Sequence, residues 1–220
     1  MKYDLVIFDL DGTLMDTSKS ITKTVNSAME ELGKKQYSAN ECVKFVGGGV
    51  SGLARNILGK EKYEDVTNEE MEKVIRKYYD IYFDYGVEPY EGIPELLDFL
   101  EQNGVKKGIV TNKDHETALS AVDEKLSKWK FDGIFGSNEK EYPNKPNPYN
   151  VDKMAQNLNI SKEKILFVGD MLVDVNTAKN AGIDILYCKW GFGEVKGEDG
   201  IDENVKVSDV QEIIERIKGE

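Results

Sequence analysis

Positive charge is what this chain has least of. Its 29 Lys and Arg stand against 41 Asp and Glu, a formal net charge of −12 with a pI near 4.8. A surface that negative repels phosphate backbones and anionic lipid, which argues against nucleic-acid or membrane partners. Long apolar runs are missing too, and none approaches the ~18 residues needed to span a bilayer. Met1-Lys2-Tyr3-Asp4 puts an acid where a signal peptide carries apolar residues. The only cysteines are Cys42 and Cys188, with no Cys-x-x-Cys pair, so a disulfide framework is excluded. These absences predict a reduced, cytoplasmic protein. Internal repeats and low-complexity tracts are also lacking. A chain this acidic that handles an anion has to create positive charge locally.

Hydrophobic residues make up 40% of the 220 positions and aromatics 10%, enough for one large domain or a core carrying a smaller one. Leu5-Val6-Ile7-Phe8 is too short for a helix and rich in β-formers, so it reads as a buried strand. Residues 107–111, 165–169 and 183–188 read the same way. Helical patterns lie beside them. Ile93, Leu96, Leu97 and Leu100 recur at helical spacing before Gly104. Shorter helices are predicted over 151–158 and over 173–181, the second closed by Gly182. Ser208 and Gln211 form a capping-box pattern ahead of Ile213, Ile214 and Ile217. Strands alternating with helices and buried on both faces predict an α/β fold, a Rossmann-like doubly wound parallel sheet.

Residues 17–85 break that alternation. Ile21, Val25, Met29 and Leu32 mark one helix, stopped at Gly33. Ser38 with Glu41 and Thr67 with Glu70 are two capping boxes. Met71, Val74, Ile75, Tyr78, Tyr79 and Tyr82 form the apolar stripe of a long helix, read as packing rather than as a binding surface. The segment is expected to be a helical cap domain inserted into a core made of 1–16 and 86–220.

The strongest chemical signal is Asp9-Leu10-Asp11-Gly12-Thr13-Leu14, directly after the first strand. Ligands of open α/β sheets bind outside the carboxyl ends of the strands, where Asp9 and Asp11 fall. Two carboxylates two residues apart, with Gly12 turning the chain, can converge on one point. A calcium loop is excluded because Leu14 occupies the position that requires glycine.

In this motif the chain resembles the haloacid dehalogenase superfamily, whose phosphatases begin with Asp-x-Asp-Gly-Thr after a strand. Three more motifs of that superfamily follow in order. They are Thr111-Asn112-Lys113 at a strand end, Lys145 in Asn144-Lys145-Pro146-Asn147-Pro148, and Gly169-Asp170-Met171-Leu172-Val173-Asp174. The resemblance covers essentially the whole chain, with the helical insertion where the superfamily carries its cap. It implies that Asp9 attacks phosphorus and forms an aspartyl-phosphate, while Asp11 protonates the leaving oxygen and later activates water. It implies Mg2+ as cofactor, held by Asp9, the Asp11 main-chain carbonyl and Asp170, with Asp174 as ligand or support. Lys145 then balances the charge of Asp9 and the phosphoryl group, while the Thr111 hydroxyl and Asn112 amide hold phosphoryl oxygens. Met171 departs from the family's small hydroxylated residue, which removes one expected hydrogen bond near Asp170.

Gly47-Gly48-Gly49-Val50-Ser51-Gly52 matches a dinucleotide-loop spelling, yet no strand–helix–strand context surrounds it. It reads as a flexible link between cap helices. Phe45-Val46-Gly47 and Arg55 resemble the cap of phosphoglycolate phosphatase-like members, which makes Gly48 and Arg55 candidate substrate contacts. Arginine is otherwise confined to Arg76 and Arg216, and its fork suits carboxylate or phosphate. Trp190-Gly191-Phe192-Gly193 also resembles that branch and reads as a packed loop. His115, the only histidine, is expected in solvent at the start of a helix. The expected activity is phosphoric monoester hydrolysis on a small phosphorylated metabolite of the phosphoglycolate kind, by a monomer or homodimer. A β-phosphoglucomutase-like phosphomutase, a pyrophosphatase, and a phospho-accepting or inactive binding module are the alternatives.

Overall fold

The computed structural model describes residues 1–219. The chain divides into two compact units, Met1–Met15 with Pro89–Glu220, and Asp16–Glu88. After β1 (Leu5–Phe8) and β2 (Met15–Asp16), the second unit holds α1 (Ser18–Glu31), α2 (Ala39–Lys44), α3 (Gly49–Glu61) and α4 (Asn68–Tyr82). Ser38 with Glu41 and Thr67 with Glu70 form the reciprocal capping boxes that start α2 and α4. Ile21, Val25 and Met29 of α1 are buried, as are Met71 and Ile75 of α4. These are the apolar stripes legible in the sequence.

The glycine run is not a link. Gly48 turns the chain at φ 74° and caps α3, whose 13 residues begin at Gly49. A helix, α2, precedes it rather than a strand, so the dinucleotide spelling is coincidental. Three consecutive glycines lower helix propensity and hide this start in the sequence, while Val50, Leu53, Ala54 and Ile57 are buried and hold the helix by packing.

From β3 (Glu88–Pro89) the chain enters α5 (Ile93–Gln102), β4 (Lys106–Asp114), α6 (His115–Leu126), β5 (Gly133–Ser137) and α7 (Tyr149–Leu158). It continues through β6 (Ile165–Gly169), α8 (Leu172–Ala181), β7 (Asp184–Cys188), α9 (Phe192–Lys196), β8 (Lys206–Val207) and α10 (Val210–Lys218). Six strands make one sheet in the order β5-β4-β1-β6-β7-β8, and every neighbouring pair is parallel. Helices cover both faces, so β1 and β6 are buried throughout and read as unbroken apolar runs. β1 lies at the centre, between β4 and β6, where the strand order reverses and a crevice opens at the carboxyl ends.

Two local expectations shift. The cap of α10 is Asp209, whose side chain accepts from the Glu212 amide, not Ser208. β5 carries only one fully buried residue, Gly136, and its two glycines in five positions gave no strand signal. Among the described residues no helix is long and apolar enough to cross a membrane.

Candidate active site

Asp9 stands one residue beyond β1, and its amide continues the ladder by donating to the Val168 carbonyl at 2.9 Å. Its Oδ1 accepts from the Leu10 amide at 2.7 Å and faces Lys145 Nζ at 3.0 Å. Oδ2 has no hydrogen-bond partner among the described residues. The chain then turns tightly, with the Leu14 and Met15 amides both donating to the Leu10 carbonyl at 3.0 Å. Gly12 makes that turn at φ 84°, and a Cβ on it would run into the Asp170 carboxylate. A side chain there is excluded on both counts.

Lys145 comes from the segment between β5 and α7, and its ammonium is buried between two carboxylates. Asp174 Oδ1 lies 2.6 Å from Nζ, closer than Asp9. Burial alone would pull its pKa down, but Asp174 and Asp9 together raise it, so the charge is held through the neutral range. The Lys145 backbone is also clamped. Asn112 Nδ2 donates to its carbonyl at 3.1 Å, and Asn112 Oδ1 accepts from its amide at 2.9 Å. The Asn112 side chain thus positions Lys145, a connection the sequence did not reveal.

Asp170 follows β6 and is fully buried. Thr13 Oγ1 donates to its Oδ1 and the Phe192 amide donates to its Oδ2, both at 2.7 Å. These two donors supply the orientation that Met171 cannot. Asp174 Oδ2 accepts from the Asp170 and Met171 amides at 3.2 and 3.0 Å, which folds the loop onto the first turn of α8. Burial, then the nearby Asp174 and Asp9, raise the Asp170 pKa well above the ordinary carboxylate range. Burial raises Asp174 to about 6 against the pull of Lys145.

Carboxylate oxygens of Asp9, Asp170 and Asp174 lie within 4.8 Å of one another, all three residues buried. Three buried acids face one buried lysine, so the fully ionised cluster carries excess negative charge. An all-oxygen donor set of that charge fits a hard divalent cation.

Thr111 is buried within β4, three residues before its end, its hydroxyl accepting from the Lys113 amide at 3.3 Å. Lys113 Nζ reaches both oxygens of Asp11, at 3.1 and 3.2 Å, from a nearly buried position. The available signal was that Lys113 stands in the motif itself, beside Thr111 and Asn112. His115 is not simply solvated. Its Nδ1 accepts from the Gly136 amide at 3.2 Å, tying the start of α6 to β5. His115→Ala is expected to cost about 1 kcal/mol of stability with turnover unchanged, measured by thermal melts and steady-state assay.

Gly48 and Arg55 belong to the helical unit, where Arg55 Nη2 lies 3.7 Å from the place a Gly48 Cβ would take. Arg55 is exposed, and the two residues form one local feature of α3.

A family model for haloacid dehalogenase-like hydrolases matches residues 6–188. The chain belongs to that family. The phosphoglycolate phosphatase of Aquifex aeolicus is 34% identical over 197 residues, covering 88% of each chain. Pyrophosphatase PpaX of Halalkalibacterium halodurans is 31% identical over 199 residues, covering 90% of this chain and 88% of that one. A solved haloacid dehalogenase-like hydrolase from Streptococcus pneumoniae superposes with a TM-score of 0.82 at 26% identity, over 98% of both chains. Within this haloacid dehalogenase-like hydrolase, the four motifs legible in the sequence stand at the ends of β1, β4 and β6 and in the segment before α7.

Proposed function

We propose that the protein is a magnesium-dependent phosphatase that hydrolyses a small phosphorylated metabolite of the phosphoglycolate class through an aspartyl-phosphate on Asp9. The observation that carries this reading is Asp9 itself. One of its oxygens is pinned by the Leu10 amide and Lys145, while the other has no hydrogen-bond partner among the described residues and is left to attack. Asp9, the Asp11 main-chain carbonyl and Asp170 would hold the ion, with Asp174 spending its oxygens on Lys145 and the loop amides. When bound, Mg2+ supplies the positive charge that lets a phosphate dianion approach these carboxylates.

Lys145 holds one oxygen of Asp9 at 3.0 Å and offsets charge on the transferring phosphoryl group. Thr111 and the Asn112 amide orient phosphoryl oxygens. Asp11 delivers a proton to the leaving oxygen and then takes one from the water that cleaves the intermediate. Lys113 keeps the Asp11 carboxylate in place between turnovers. The relatives named as pyrophosphatase PpaX favour a second reading, in which the leaving group is phosphate rather than an alcohol.

The test assays p-nitrophenyl phosphate, phosphoglycolate, other phosphate monoesters and pyrophosphate with Mg2+ or EDTA. Metal-dependent release from phosphoglycolate well above the other compounds is expected. Dominant pyrophosphate cleavage selects the second reading, and turnover indifferent to EDTA contradicts both. Arg55→Ala adds a finer check. If Arg55 grips the substrate carboxylate, kcat/KM for phosphoglycolate falls about 10-fold or more, with p-nitrophenyl phosphate little changed. A loss of only a few-fold on both substrates removes Arg55 from the site.

A further inference from the structure

The segment after β7 was expected to be a packed loop without chemistry, yet it meets the acidic cluster at several points. Its Phe192 amide donates to Asp170 Oδ2 at 2.7 Å. Gly191 and Gly193 lie so close to Asp170 that a Cβ on either would fall inside 3.0 Å of its side chain or carbonyl. Glu198 returns at the far end, its Oε2 accepting from the Leu172 amide at the start of α8. Its own amide closes the loop by donating to the Gly193 carbonyl at 3.1 Å. Trp190 Nε1 reaches the other side of the site, donating to the Thr13 carbonyl at 3.2 Å. The base is anchored where the Lys189 amide donates to the Val207 carbonyl of β8 at 3.0 Å.

We propose that residues 189–198 form a brace that fixes the Asp170 carboxylate before a cation arrives, and that Gly191, Gly193 and Glu198 thereby set the divalent-cation affinity of the site. This rests on the metal-dependent reading above. A carboxylate has about four lone-pair sites. The Thr13 hydroxyl and the Phe192 amide each occupy one on different oxygens, leaving one on each for an incoming ion. A carboxylate held in one rotamer loses no further side-chain freedom on binding, and its supporting hydrogen bonds fix where its free lone pairs point. Gly191, Phe192 and Gly193 are buried, so the brace itself has little room to shift. These are positioning residues, acting through Asp170 rather than on substrate.

The experiment titrates Mg2+ and Mn2+ into the full-length protein by calorimetry without substrate. It compares wild type with Gly191→Ala and Glu198→Ala, after melts in EDTA establish that each variant is folded. Trp129→Phe as background leaves Trp190 as the sole indole and adds its emission as a second readout of the ion. Both variants are expected to bind Mg2+ about 10–100-fold more weakly, with p-nitrophenyl phosphate turnover recovering as Mg2+ is raised. Should Gly191→Ala fail to fold, Glu198→Ala decides, because it leaves every glycine in place. Folded variants with wild-type Mg2+ affinity overturn the brace and leave the phosphatase reading standing. Wild-type protein that binds neither cation overturns both.

Discussion

Asp9→Asn is expected to lower kcat by about 10⁴-fold or more on every phosphate ester the wild type cleaves. The amide keeps the shape of the side chain and still accepts from the Leu10 amide, but it is no nucleophile. It also cancels one of the two carboxylates facing Lys145, leaving Asp174 as that ammonium's partner. The fold is therefore expected to survive, because Lys145 remains paired by its shorter contact of 2.6 Å. Acid-quenched wild type given labelled substrate should retain phosphate on the protein, and the variant should retain none. Substantial turnover or labelling of Asp9→Asn would sink the covalent mechanism.

The second large effect concerns stability. A carboxyl whose folded pKa is raised contributes stability that is complete below its unfolded value and lost as pH climbs through the folded one. Asp174 moves from 3.8 to about 6, and Asp170 moves in the same direction, both chiefly through burial. The EDTA-treated protein is therefore expected to lose a few kcal/mol as pH rises from about 4 through about 6, with the loss from Asp170 continuing above that. Exposed acids whose pKa is lowered, such as Glu31 and Asp65, act only at lower pH and do not mask the trend. Mg2+ at about 100 times its Kd should restore about 2.7 kcal/mol, roughly 5–10 °C in Tm for a chain of this size. Asp170→Asn removes a buried charge without changing shape. It should melt above wild type in EDTA at pH 7.5, with a flatter pH profile and no gain from Mg2+. A flat wild-type profile, or an equal Mg2+ gain in the variant, contradicts the charge-excess account of the cluster.

Much of this was legible in the sequence for identifiable reasons. Buried parallel strands announce themselves as apolar runs, so β1 and β6 stood out with the carboxylates at their ends. β5 did not, because at the edge of the sheet it carries mixed exposure and two glycines. The start of α3 was lost for the opposite reason, since its glycines hid a helix that packing sustains. The candidate site residues on motif spacing, Lys145 among them, were visible in the sequence. The supports were not. Asn112 clamping the Lys145 backbone, Lys113 meeting Asp11 and the Phe192 amide on Asp170 span 33, 102 and 22 positions of chain. Contacts of that reach depend on tertiary placement, which no local period encodes.

The central place of β1 also has a kinetic side. Leu5 pairs with Lys106 on one flank and with Ile165 on the other, so its strand emerges during synthesis long before either partner. At ribosomal rates the first partner follows after roughly 5–20 s and the second later still. Over that interval Val6, Ile7 and Phe8 are an unpaired apolar edge beside Asp9, and non-local parallel pairing of this kind is slow to form. The strand that anchors the chemistry is thus the one most exposed to aggregation while the chain is made, and the one with most to gain from a chaperone's protection.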